Sequence, residues 1–548
     1  MMAPNGNSQE KDEDIDRRRR SSSASNDGGT TTLPDVSFAQ TPHPPGAAGG
    51  GRIRPASPST LPRALLALSD DVGGLWALPP RRRRRSTDDD DAVDILDGPP
   101  SPLAFLGDYV SRSRPCIIRN AVATTAAAAA DGDGDGVRSP LRLTLDDLVE
   151  MTDDEDGRGG DAYSDADGEA VTLTVDVTPD GRGDCVRAVH ISEGGGEVGV
   201  GSRRRMFVKP EERRMSAAAF REALRAGREE WAEGLRKRGG GDSAGEEESV
   251  RDEDGMEVFP SAAAAALDDK VERANADARR PEEEKMDEKG VHSRDRRCRR
   301  RRPPVLYYSR QNDCLRTELS PLFRSASSLI PRTFPWAERA FGTGPPDAVN
   351  LWVGDERAVS GMHKDHYENL FYVASGEKVF TLCPPGDAPF LHEDEFESGT
   401  FRCGSKGGGG EEGGDAWSVI PDYDNDEDEG GRRGSGDRPA KVRWIEPDID
   451  RLLDDGDFED AGDQESASYL RRFPLLRHAH PTRVYVREGD LLYLPALWFH
   501  RVTQTTETVG INYWFDMKFD SPGWCYFNFL QNLHVRSNGG SDGDGQSR

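Results

Sequence analysis

Met362-His363-Lys364-Asp365-His366-Tyr367-Glu368-Asn369-Leu370, followed closely by Gly376-Glu377-Lys378, is the stretch on which the reading of this chain turns. A second stretch, Leu491 to His500 (LLYLPALWFH), completes it. Together they supply His-x-Asp, a distant His, and a lysine fifteen positions after the first His. Residues two apart on a strand share a face, so His363 and Asp365 point into one interior, and Asn369 has the same parity. Two neutral imidazoles and one carboxylate occupy one face of an iron(II) octahedron and leave positions for a bidentate ligand and for oxygen. Lys378 lies past the turn signal Ser375-Gly376 on an expected partner strand. From there its ammonium pairs with the far carboxylate of 2-oxoglutarate, a contact strengthened in a partly dry pocket.

His-x-Asp alone arises by chance in a chain with ten histidines and 100 acidic residues. It recurs at His392-Glu393-Asp394, beside Glu395 and Glu397, with no flanking apolar strand; this second copy reads as solvated loop. His363 differs because Val359, Leu370, Phe371, Tyr372 and Val373 surround it with strand formers. His500 ends an apolar run and precedes Val509 to Phe515 (VGINYWF), another strand pattern. Asn369 and Lys378 at their spacings argue against three unrelated core or surface residues.

Length alone, 548 residues, suggests three or four domains, but sixty glycines and many charge runs belong to insertions too poor in apolar residues to fold. One catalytic domain interrupted by disordered loops fits better. From Val305 onward short segments punctuated by Gly, Pro and Asp read as strands: Val305 to Tyr308, Ala348 to Val353, Phe371 to Ala374, Lys378 to Cys383, Val484 to Val486, Leu491 to Leu494 and Val509 to Phe515. They predict a mainly β fold with flanking helices, a double-stranded β-helix or jelly roll of the cupin kind. Helices are expected over Leu61 to Ala77, Leu103 to Val110, Leu143 to Met151 (capped by Thr144), Ser216 to Leu235 (capped by Ser216) and Pro522 to Val535. The resulting division is a disordered tail over 1–60, a helical and mixed region over 61–237 and a charged insertion over 238–304. A catalytic barrel over 305–535 follows, with low-complexity insertions at 396–440 and about 455–470, then a tail over 536–548.

A net charge of −28 argues against non-specific nucleic-acid binding. The seven cysteines are odd in number and scattered, without Cys-x-x-Cys, which speaks against a disulfide framework or structural zinc and for a reducing, cytoplasmic setting. Arg17 to Arg20, Arg81 to Arg85 and Arg299 to Arg302 would serve nuclear import but read more simply as solvated linkers. The first residues carry no apolar signal core, and no segment is apolar for long enough to span a membrane.

Segments spread along the chain resemble the JmjC-domain 2-oxoglutarate oxygenases, and among them the small protein hydroxylases more than the large chromatin demethylases. These are Pro99 to Val122, Val175 to Gly181, Met206 to Met215, Val305 to Tyr308, Pro346 to Val373, Gly376 to Pro385 and Val486 to Tyr526. The resemblance implies that His363, Asp365 and His500 are iron ligands and that Lys378 anchors 2-oxoglutarate. It further implies that Ser360 bonds the same carboxylate, that Tyr307, Asn369 and Asn512 line the co-substrate pocket, and that Trp514 forms a bulky wall. Fe(II) as cofactor, 2-oxoglutarate and O2 as co-substrates, and a protein substrate with a target lysine, such as a translation-associated GTPase, come with it. So does a homodimer through the C-terminal helix, although lining its own core is the simpler role for Trp524, Phe527, Phe529 and Leu530. Two departures stand out: Ser309 replaces a glutamine of close relatives, and Ala123 to Gly136 replaces a Trp-Pro-Ala-Leu-like segment. Three other readings stay open: a lysine demethylase on the same metal site, a peptidase acting on histone tails, and a non-enzymatic cupin-like adaptor.

Overall fold

The computed structural model describes residues 61–76, 93–122, 141–152, 171–191, 202–239, 303–325, 330–404, 417–423, 439–454 and 464–532. The tails, the 240–302 tract and the Ala123 to Gly136 segment lie outside these residues. In chain order the strands are β1 (Asp94–Leu96), β2 (Cys116–Ile118), β3 (Leu173–Thr178), β4 (Arg182–Gly183), β5 (Cys185–Ile191), β6 (Ser202–Lys209) and β7 (Glu211–Met215). Then come β8 (Val305–Tyr307), β9 (Ala348–Gly354), β10 (Val359–His363), β11 (Tyr367–Ser375), β12 (Glu377–Cys383), β13 (Glu393–Cys403), β14 (Trp417–Pro421) and β15 (Lys441–Ile445). The last four are β16 (Thr482–Arg487), β17 (Leu491–Leu494), β18 (Phe499–Gln504) and β19 (Thr508–Asp516).

Two sheets make the central layer pair. One runs β1-β2-β17-β11-β19-β9 and the other β16-β12-β18-β10-β4. The chain alternates between them, β9 to β12 in one pass and β16 to β19 in a second, and the second pass interleaves with the first. This is the winding of a jelly roll. Phe371, Val373, Leu492 and Leu494 of the first sheet meet Phe380, Leu382, Val484, Val486 and Val502 of the second in one inner core. The opposite face of the first sheet is buried as well. Leu370, Tyr372, Tyr493, Ile511 and Phe515 pack there under helix residues such as Phe105, Phe220 and Phe341. Burial on both faces explains why Leu370 to Val373 is continuously apolar where a half-exposed strand would alternate.

The helices start where side-chain caps were expected. Thr144 Oγ1 accepts from Asp147 N at 3.2 Å ahead of the helix Leu145–Thr152, and Ser216 Oγ accepts from Ala219 N at 3.2 Å ahead of Ala217–Gly239. The C-terminal helix, Pro522–Asn532, buries Phe527 and Leu530 and leaves Phe529 exposed. No described helix is long and apolar enough to cross a membrane.

Two stretches read as insertion contain regular structure among their described residues. Residues from 396 onward belong to β13, which pairs with β6, β14 and β15 in a third sheet. Within the 455–470 tract the helix Gln464–Arg472 begins. The physical reason is that isolated apolar residues among the acids and glycines, Phe401, Trp417 and Val419, meet Val189, Met206 and Val208 from far upstream in a small core of their own. Periodicity within a short window does not reveal a strand whose apolar partners lie some two hundred residues away.

Candidate metal centre

β10 and β18 are antiparallel neighbours, and their register sets His363 directly opposite His500. The imidazole centroids are 4.2 Å apart. His363 Nδ1 lies 2.7 Å from Gly361 O, and His500 Nδ1 lies 3.0 Å from Trp498 O. A carbonyl only accepts, so each Nδ1 carries the proton and each Nε2 carries the lone pair that a metal would take. Asp365 Oδ2 approaches His500 Nε2 at 3.6 Å, and one ligand atom from each of the three residues falls within a 4.8 Å cluster. Burial, with His363 adding to it, pushes the His500 imidazole down to about 4 and keeps it neutral. Two Nε2 donors and one carboxylate oxygen converging on one point fit a hexacoordinate first-row divalent ion such as iron(II).

The two deciding stretches are stapled to each other. Asp365 O accepts from Leu497 N at 2.9 Å, and Glu368 Oε2 accepts from Tyr493 Oη at 2.7 Å and from Ala496 N at 3.3 Å. Glu368 is half-buried, and desolvation raises its carboxyl. Behind the ligands, Lys364 Nζ donates to Glu393 Oε1 at 2.7 Å, and Glu393 also accepts from Gln531 of the C-terminal helix. The second His-x-Asp copy is therefore not solvated loop: Glu393 opens β13 and is largely buried, because it neutralises the lysine between His363 and Asp365.

Lys378 stands on β12, deep in the barrel. Its Nζ donates to Tyr307 Oη at 3.1 Å and to Gln504 Oε1 at 3.0 Å, with the Phe371 ring face 5.5 Å away. Burial pushes its ammonium down to about 7. Ser360 on β10 bonds the Tyr307 hydroxyl, whose own ionisation burial drives far up. Tyr307, Ser360 and Lys378 thus form one polar cluster. Asn512 Oδ1 accepts from Trp352 Nε1 at 3.1 Å, and Asn369 faces Trp514 across the β11/β19 pair. Asn369 Oδ1 and Trp514 Nε1 are buried without a hydrogen-bond partner, an acceptor and a donor side by side. Trp514 also stacks on Tyr367, centroids 4.9 Å apart. Buried orphaned polar atoms are rare in native interiors, so this acceptor and donor invite a polar guest.

Two site residues had no signal in the sequence. Trp444 on β15 stacks parallel to the His363 ring, centroids 6.0 Å apart, and sits just past a tract read as insertion. Gln504 reaches Lys378 only through the β12/β18 register. Ser309, at the position of the absent glutamine, is bonded to Asp176, whose carboxyl burial raises to about 7 despite that bond.

A family model for the cupin-like domain matches residues 102–521, and the chain belongs to that family. It is 35% identical to the bifunctional peptidase and (3S)-lysyl hydroxylase JMJD7 of Homo sapiens over 235 residues, 43% of this chain and 60% of that protein. It is 35% identical to the lysine-specific demethylase JMJ32 of Arabidopsis thaliana, over 42% of this chain and 58% of that one. JmjC domain-containing protein E of Dictyostelium discoideum is 34% identical, over 41% and 57%. The chain thus spans about three fifths of the length of these relatives.

Proposed function

We propose that this protein is an iron(II)- and 2-oxoglutarate-dependent oxygenase that hydroxylates a lysine side chain of a protein substrate. The observation that carries the reading is the convergence of His363, Asp365 and His500, both histidines held in the ligating tautomer by backbone carbonyls. These three side chains would hold the metal, and Lys378 and Ser360 would receive the distal carboxylate of 2-oxoglutarate. Iron(II), when bound, supplies the oxygen activation that couples decarboxylation of the 2-oxo acid to oxidation of a C–H bond. The overall balance is one O2 and one 2-oxoglutarate consumed for one hydroxyl group, one succinate and one CO2.

The chain's own part is positional. The carbonyls of Gly361 and Trp498 hold the imidazoles, the Leu497 and Ala496 amides fix the turn carrying Asp365, and Trp444 limits the swing of His363. Asn369 and Trp514 offer an acceptor and a donor at the inner wall. Preorganisation of this kind leaves little reorganisation for the reaction itself. No side chain has to act as general acid or base.

The test is to incubate the anaerobically iron-loaded protein with 2-oxoglutarate, oxygen and a library of lysine- and arginine-containing peptides, methylated and unmethylated, and to read the products by mass. Gain of one oxygen on lysine, matched by succinate and lost in His363→Ala, is expected. Loss of a methyl group with formaldehyde would move the protein to the demethylases, and a cut peptide without succinate to the peptidases. Failure to bind iron(II) would leave the adaptor. The protein-substrate reading, the dimer through the C-terminal helix and the cytoplasmic setting are parts of the same proposal.

A further inference from the structure

Lys378 and Gln504 are direct partners across the β12/β18 pair, so their side chains share one face, and each is 1% exposed. A buried amide has to place both of its N–H groups. Gln504 Nε2 donates to Asp355 O at 2.6 Å and to Ala358 O at 2.9 Å, both in the turn between β9 and β10. Turned over, the amide would press its oxygen against two carbonyl oxygens, so its orientation is fixed. Oε1 is thereby held 3.0 Å from Lys378 Nζ. The turn that imposes this is clamped in its own right. Arg357 pairs with Asp355 at 2.6 Å and donates to Leu224 O on the helix Ala217–Gly239 at 3.0 Å. Gly354 leaves the space: a Cβ there would meet the Tyr307 ring at 2.5 Å and Gln504 Nε2 at 3.4 Å.

The charged lysine has three N–H groups. Among the described residues, one goes to Gln504 Oε1 and one to Tyr307 Oη. With those two directions taken, the tetrahedral geometry at Nζ aims the third.

We propose that Gln504 is a positioning residue for the co-substrate: held by the 355–358 turn, it directs one N–H of Lys378 into the barrel and so sharpens selection for a 2-oxo acid with a distal carboxylate. This rests on the oxygenase reading above. The experiment is calorimetric titration of the full chain loaded with manganese(II), a stand-in that does not turn over. The ligands are 2-oxoglutarate and 2-oxopentanoate, which carries a methyl group in place of the distal carboxylate. In Gln504→Met, affinity for 2-oxoglutarate is expected to fall about 10-fold or more, the scale of one missing hydrogen bond to a charged group, with 2-oxopentanoate unchanged. In Gln504→Glu the protonated side chain keeps the acceptor toward Lys378 and one of the two donors, and the ionised one opposes the carbonyls of Asp355 and Ala358. Preference for 2-oxoglutarate in that variant should therefore survive at acid pH and decline as pH rises more steeply than in the unaltered protein, and this comparison decides the matter if the Met variant does not fold. Equal loss of both ligands, or unchanged preference in both variants, would overturn the role given to Gln504. Unaltered protein that binds manganese(II) but neither acid would overturn the oxygenase reading, and this proposal with it.

Discussion

Two His-x-Asp sequences lie 29 positions apart in this chain and do opposite things. At 363–365 the histidine ends β10 opposite His500, and the aspartate turns back toward the same point. At 392–394 the histidine takes a left-handed conformation, φ 53°, and its Nε2 accepts from Leu475 N at 3.1 Å, so that nitrogen is already in use. Asp394 accepts from the amide next to it, Glu395 N. The middle residues of the two copies meet, as the ion pair between Lys364 and Glu393. Spacing supplies the donor atoms, but a third donor at the right register makes a site. The second copy became support for the first.

The sharpest way to break this contrast is to remove one carboxylate from each copy. Asp365→Ala leaves two imidazoles, and iron(II) affinity and turnover should fall by about 10³-fold or more. Asp394→Ala should leave both unchanged. Metal content by elemental analysis and succinate production check the pair. Equal loss in both variants would mean that the second copy holds metal after all.

Next in size is the lysine that the first copy serves. Lys378→Met should weaken 2-oxoglutarate binding about 100-fold, because it removes a charge-assisted hydrogen bond from a dry pocket. The pH dependence has a definite sign. Burial holds the free ammonium at about 7, so above that pH the free protein carries it largely neutral, and an arriving dicarboxylate draws a proton onto it. Near pH 8 binding should take up close to one proton, and near pH 5.5 almost none. Calorimetry in two buffers of different ionisation heat measures this. The same depression means that the unliganded protein gains stability as pH climbs from about 7 toward the unfolded lysine value of roughly 10.4, a rise that Lys378→Met should flatten.

How much of this was legible follows from where each signal sits. Strands of the barrel carry their apolar residues in one run, so β9, β11, β12, β17 and β19 could be read directly, and His363, Asp365, His500 and Lys378 lie on or beside them. Ser360 and Tyr307 join Lys378 in one cluster, which local spacing does not show for Tyr307, on a strand seventy-one residues earlier. The third sheet was hidden because its core is assembled from β5, β6, β13 and β14 with long polar tracts between them. Trp444 and Gln504 were hidden for a related reason. Each acts through a neighbour supplied by packing or register, and no pattern within its own segment announces it. Glu393 was misread because a run of acids looks solvated until one of them meets a partly buried lysine.

That ion pair gives a smaller effect. Burial raises the Glu393 carboxyl, but the charges of Lys364 and Arg443 more than offset this and hold it below the usual range. Glu393→Gln should destabilise the fold by about 2 kcal/mol at neutral pH, less than for a fully dry pair because some solvent reaches both groups. A carboxyl with a depressed folded value contributes stability that is present above its unfolded value of roughly 4.3 and lost as pH falls through the folded one. The melting curves of the two proteins should therefore converge as the pH is taken below about 4. A constant gap would show that packing, and not charge, is what Glu393 provides. Activity should fall less than in Asp365→Ala, because the ligands themselves remain.

The smallest expected change closes the contrast from the other side. His392 is part of a half-buried junction: besides the bond from Leu475 N, its ring meets Phe473 edge-on, centroids 5.4 Å apart. His392→Ala removes the acceptor and most of the ring packing, which should destabilise the fold by about 1–2 kcal/mol. Part of this is recoverable through the backbone, because φ 53° strains any residue with a Cβ. His392→Gly therefore avoids a strain that the alanine variant keeps, though it also loosens the unfolded chain. If the histidine serves only the fold, both variants bind iron(II) like the unaltered protein and differ only in melting temperature. A fall in iron affinity in either one, at a temperature where it is fully folded, would show that His392 contributes to the centre, and the two copies would no longer be opposites.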